Sequence, residues 1–411
     1  MPKSLIVLAV LVAASPLLAA LAPQTDPMLD RARRLLKEVP VIDGHNDYPW
    51  AVREKVALDL TKLDMRQPQP TIMTDFARLT AGGVGGQFWS VYVPSPAAGT
   101  DPAASVTQVL EQIDIVHHMV ARYPDRLALA LSTDDIERAQ KAGKIASLIG
   151  IEGGHAINSS IPTLRMMYRL GARYMTLTHS LNVPWADSAT DAPKLDGLSP
   201  FGEEVIREMN RLGMLVDLSH TSPATMADAL RVTTAPVIFS HSSARAITDV
   251  PRNVPDDILR QMPKNGGVVM VTFVPGFVSQ QVADYNTRET AERNRLTAVT
   301  GSNTDTIARG LDAWHAANAS PRATLAQVAD HIDHIKKVAG IDHIGFGGDF
   351  DGITSVVQGL EDVSTYPALV AELLKRGYTD DDIKKIAGRN ILRAFKGAEA
   401  VAGKVGTGPA R

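Results

Sequence analysis

Eight apolar runs recur along this chain, each followed by a segment with helical spacing, and this rhythm constrains the fold more than any other feature. The runs are VPVIDGHND (39–47), VGGQFWSVYV (84–93), IASLIGIEGG (145–154), YMTLTH (174–179), LVDLSH (215–220), VIFSH (237–241), GVVMVTF (267–273) and HIGFGGDF (343–350). Helical patterns cover 106–123, 162–171, 201–213 and 324–340 between them. Several of the runs are apolar almost throughout, as strands are when helices cover their outer face. Eight such alternations predict an α/β fold, a (β/α)8 TIM barrel, rather than an open sheet. Its length of 411 residues suits one barrel with insertions, here a single domain over 27–400. The polar segment 276–323 breaks the rhythm and reads as a helical insertion or lid over the barrel mouth.

The ends of the runs carry the chemistry. Residues i and i+2 of a strand share a face, so His45 and Asp47 are expected to project together from the first run. The third run ends in Glu152, the fourth in His179, the fifth in His220, the sixth in His241 and the eighth in Asp349. In a barrel these ends converge on one face, where active sites sit. The chain has only 11 His, so their gathering at strand ends is not an accident of abundance. There is no cysteine, so a metal must sit on His, Asp and Glu. Imidazole and carboxylate suit zinc, at roughly 2.0–2.2 Å, and a central carboxylate can bridge two ions roughly 3.5–4 Å apart. Glu152 is the candidate bridge, because YMTLTH holds no lysine that could be modified for that role.

Other readings stay open. Asp349 and Asp351 share strand parity, so spacing does not choose between them, and Arg252 in VPRNVPDD could pair with Asp249 or Asp256. His331 and His334 read as a solvated helix face, and His155 as a neighbour of the site rather than a ligand.

Net charge is −3, with no basic excess to recruit nucleic acid or an anionic membrane. Lys3, the apolar run Leu5–Ala14 and the small-residue stretch to Ala22 form the pattern of an export signal over 1–22. A periplasmic or secreted protein without stable membrane insertion after cleavage is expected; an uncleaved N-terminal anchor is the alternative. The tail VAGKVGTGPAR carries no lipid-anchor signal.

The sequence resembles the membrane (renal-type) dipeptidases, metallopeptidases of the amidohydrolase barrel superfamily. The resemblance spans nearly the whole chain and rests on VIDGHNDYPW, GGVGGQFWSVYVP, IEGGHAI, LTHSLNVPWADS, LVDLSH, SHSSARAITDVPRNVPDD and HIGFGGDFDG. It implies two Zn2+ per chain, one on His45 and Asp47, the other on His220 and His241, with Glu152 bridging. It implies that His179 binds the scissile carbonyl oxygen and the oxyanion formed from it, that Arg252 holds the substrate's terminal carboxylate, and that Asp349 shuttles the proton. The expected reaction is hydrolysis of dipeptides by hydroxide held between the ions; hydrolysis of N-acyl amino acids or lactones is the alternative. Mammalian members carry disulfides and a C-terminal lipid anchor, so their absence points to a bacterial-type soluble member, for which a homodimer stays open.

Overall fold

A computed structural model of the protein describes residues 26–95, 101, 103–301 and 303–405. The expected signal segment lies outside these residues. Among them, no helix is long and apolar enough to cross a membrane.

Among the described residues nine parallel strands form one sheet: β1 (Val41–Asn46), β2 (Val84–Tyr92), β3 (Leu127–Leu129), β4 (Ile145–Glu152), β5 (Ala172–Thr176), β6 (Leu215–Asp217), β7 (Ile238–Phe239), β8 (Val268–Val271) and β9 (Ile344–Phe346). The order runs β2-β1-β9-β8-β7-β6-β5-β4, and β2 pairs with β4 to close an eight-stranded barrel. The additional strand β3 lies beside Ile145–Ser147 of β4, while β5 lies beside Ile149–Glu152. The run RLALAL that forms it is too short to stand out among eight longer ones.

The expected strands end early. β5, β6 and β9 stop three residues before His179, His220 and Asp349, and β7 stops two before His241. The site residues therefore hang on turns just past the strands. His220 and Asp349 take left-handed backbone conformations, with φ of 66° and 60°, which cost an L-residue roughly 1–2 kcal/mol and persist only where the surroundings hold them.

Inside the barrel, Ile42, Phe88, Leu148, Tyr174 and Met270 join one buried cluster with Ile391 and Phe395 of the C-terminal helix Asn390–Val405. Tyr174 crosses the interior from β5 to β1. Its ring lies where Gly150 of β4 has no side chain; a Cβ there would overlap the ring. The segment 276–323 is mostly a helical hairpin, Gln280–Thr300 followed by Thr304–Ala317. Among the described residues of this segment, only Phe277, just before the hairpin, lines the cavity at the barrel mouth.

Candidate metal centre and substrate cavity

Of the eight residues singled out at strand ends and in the VPRNVPDD loop, six gather around a seventh, Glu152. Its Oε2 lies 3.3 Å from His45 Nε2. Its Oε1 lies 3.1 Å from His220 Nε2, 3.5 Å from His241 Nε2 and 3.7 Å from His179 Nε2. His45 Nε2 also lies 3.3 Å from Asp47 Oδ2, and Asp349 joins His45 and Asp47 in one cluster of potential ligands. Burial acts to raise the Glu152 carboxyl, but His45, His220 and His179 outweigh it and hold it well below its ordinary range.

His45 and Asp47 do meet, though not by strand alternation. β1 ends at Asn46, and Asp47 opens the helix Tyr48–Val56 with φ −96°. Asp47 N–H donates to the Phe350 carbonyl and Asp349 N–H to the His45 carbonyl. These bonds tie the last turn to the first strand. Asp349 and Asp351, expected to share a strand face, both sit in left-handed turns beyond β9. Asp351 accepts from Met73 N–H at 2.5 Å. Asp349 lines the cavity half-buried, and desolvation lifts its carboxyl well above the usual range.

The donor set fits divalent metal. His45 Nε2 and Asp47 Oδ1 are buried without any hydrogen-bond partner, and two imidazole nitrogens, His220 Nε2 and His241 Nε2, face each other at 2.9 Å. Unpartnered buried donor atoms are costly unless a cation satisfies them. The ring nitrogens turned away from this centre are all engaged in the cases of His45 and His241. His45 Nδ1 is 2.9 Å from Tyr174 Oη, which donates to the Gly44 carbonyl at 3.2 Å. His241 Nδ1 is 2.8 Å from Ser240 Oγ.

The cavity above the centre has a volume of about 710 Å³. Arg252 reaches it from the loop after β7, fully buried, with its guanidinium 5.1 Å from the Phe277 ring centre. It pairs with neither Asp249 nor Asp256: Nη1 donates to Ser242 Oγ at 3.4 Å, Nη2 to the His241 carbonyl at 3.3 Å, and Nε has no partner. Burial presses its pKa down to about 10. Tyr92 lines the wall beside His179, their rings 4.8 Å apart.

Two carboxylates escaped the sequence reading although they lie inside quoted motifs. Asp43 accepts from His45 N–H, Gly348 N–H and Gln87 Nε2 at 2.7–2.9 Å, and from the Tyr366 hydroxyl. Asp217 accepts from Ser219 N–H, Ser240 N–H, Ser240 Oγ and Thr176 Oγ1. An aspartate in the middle of an apolar run was the available signal. Two readings need correcting. His331 is not on a solvated face: it is buried, its Nδ1 accepting from Ala244 N–H and its Nε2 donating to the Val278 carbonyl, each at 3.0 Å. His334 is only partly exposed and pairs with Asp256 at 2.7 Å.

The chain matches the family model of membrane dipeptidase (peptidase family M19) over residues 29–407. It is 42% identical to Dipeptidase verJ of Clonostachys rogersoniana over 388 residues, covering 92% of this chain and 89% of that one. Its fold is similar to the crystal structure of the probable dipeptidase PvdM from Pseudomonas aeruginosa, with TM-score 0.80 and 24% identity, covering 91% of this chain and 99% of that one. A second similar structure is a metallo peptidase from Rhodobacter sphaeroides liganded with a phosphinate mimic of the dipeptide L-Ala-D-Ala. There the TM-score is 0.71 and the identity 23%, covering 88% of this chain and 99% of that one. With a family model spanning nearly all of it and a relative so similar over most of its length, the chain belongs to the membrane dipeptidase family, peptidase family M19.

Proposed function

We propose that this chain hydrolyses dipeptides bearing a free C-terminal carboxylate, at a pair of zinc ions. The observation that carries the reading is Glu152, whose two carboxylate oxygens face different histidines: Oε2 faces His45, and Oε1 faces His220 and His241. On this reading His45 and Asp47 hold one ion, His220 and His241 the other, and Glu152 bridges them. Such a pair supplies a nucleophile from water near neutral pH and polarises the peptide carbonyl.

The chain's own residues do the rest. His179 presents Nε2 toward the cavity, with Ser180 Oγ 2.9 Å from its Nδ1; a Ser180 hydroxyl donated to Nδ1 leaves Nε2–H to bond the oxyanion. Asp349 takes up a proton and hands it to the departing amine, a transfer suited to a carboxyl whose affinity for protons is raised. Arg252, with weakly engaged donors, binds the terminal carboxylate as a fork. The order of basic, apolar and small residues over 1–22 supports export to the periplasm or the medium, and N-terminal sequencing of the mature protein tests that point.

The main test joins metal analysis of the purified protein to hydrolysis assays. Two equivalents of zinc and turnover of L-L or L-D dipeptides are expected. Full activity with one equivalent or none would refute the metal pair. Far faster turnover of N-acyl amino acids or lactones would refute the substrate.

A further inference from the structure

We infer that Asp217 is a positioning residue for one half of the metal centre, acting through Ser240 on His241. The inference rests on the two-metal reading of the site and concerns a carboxylate that reading does not use.

The geometry fixes where each proton lies. Asp217 is fully buried and its two oxygens take four donors: Oδ1 accepts from Ser219 N–H at 3.0 Å and Ser240 N–H at 2.9 Å. Oδ2 accepts from Ser240 Oγ at 2.6 Å and Thr176 Oγ1 at 2.5 Å. A serine hydroxyl has one proton, and here it goes to Asp217. Ser240 Oγ, 2.8 Å from His241 Nδ1, can then only accept from that nitrogen. His241 is thereby held as the Nδ1–H tautomer, with the lone pair on Nε2 facing Glu152 and His220. A carboxylate behind the serine also draws the Nδ1 proton outward, which strengthens Nε2 as a donor.

The other half of the centre lacks this backing. His45 Nδ1 meets Tyr174 Oη, whose own proton goes to the neutral Gly44 carbonyl rather than to a carboxylate. The relay from Asp217 is therefore selective for the ion on His220 and His241. Losing it should weaken that ion and spare the one on His45 and Asp47.

The test is chelator titration of the metal-loaded full chain, with bound zinc counted by mass spectrometry. Asp217→Asn and Ser240→Ala are expected to release one of the two equivalents at about 10–100-fold lower chelator concentration, and Ser240→Thr, which keeps the hydroxyl, should restore it. Tyr174→Phe is the control and should loosen the other equivalent instead. Cobalt substitution supplies a second readout, since the absorption of only one of the two ions should change. If Asp217→Asn fails to fold, Ser240→Ala decides alone. Both equivalents held as tightly as in the parent, or both released together with a fall in metal-free melting temperature, would overturn the relay. A parent that never holds two equivalents overturns the two-metal reading itself, and the relay falls with it.

Discussion

Replacing Arg252 by Met should make the protein less active and more stable at once. The guanidinium is buried, one of its nitrogens has no partner, and its two recorded bonds are long, at 3.4 and 3.3 Å. Burial brings its pKa to about 10, and at roughly 1.4 kcal/mol per pH unit this corresponds to about 3 kcal/mol spent on keeping the charge inside. An isosteric apolar side chain removes that cost, as replacement of other buried charges does. A substrate carboxylate held there as proposed would gain two charge-assisted hydrogen bonds at about 1.5–3 kcal/mol each. Taking about 3–4 kcal/mol for the pair, the variant should lose roughly 150–900-fold in kcat/KM. The assay compares a dipeptide with its C-terminal amide. The parent should favour the free acid by a similar factor, and the variant should treat both alike. Melting is followed with metal in excess, so that Glu152 keeps its counter-charge; the midpoint should rise by several degrees. A variant that still discriminates acid from amide would refute the clamp, and one that melts earlier would refute the burial argument.

Asp349→Ala should lower kcat by about 10²–10⁴-fold while both metals stay bound; unchanged turnover would remove Asp349 from proton transfer. Gly352→Ala should strip metal from the His45 and Asp47 side, because its Cβ would overlap Asp47 Oδ2 and Asp349 Oδ1. Elemental analysis checks this, and a full complement would sink it. Burial holds His331 neutral, with a pKa near 4 against an ordinary 6.5. It takes up a proton more readily unfolded than folded, so its contribution is complete above pH 6.5 and is lost as pH falls toward 4. The loss reaches about 3 kcal/mol at roughly 1.4 kcal/mol per pH unit. Across that window the parent should lose about 3 kcal/mol relative to His331→Gln as pH falls, read as a shift of the melting-temperature gap in the variant's favour; a gap that stays constant with pH would refute the assignment.

Much of the site could be read from the chain because its residues follow apolar runs that a barrel must bring together. His45, Glu152, His220 and His241 needed only the rule that strand ends converge. What could not be read was how they get there. The left-handed turns at His220 and Asp349 do not use glycine at those positions, so no residue type marked where β6 stops or which residue turns the chain after β9. His331 looked solvated because its partners, Ala244 and Val278, lie far from it in sequence, and only the packed loops show that they meet. Asp43 and Asp217 were hidden by the opposite difficulty. Their donors are largely backbone N–H groups and hydroxyls, which every chain has in plenty.

The ring of Tyr174 fills the place of a side chain at Gly150 and ends on His45. The two positions therefore constitute a single inheritable unit. A larger residue at 150 cannot be tolerated until the ring has gone, and losing the ring leaves His45 without its partner. A stepwise mutational route to a larger residue at 150 passes through a protein in which His45 has lost its Tyr174 partner. At this position the way to a new side chain is thus closed from inside the barrel.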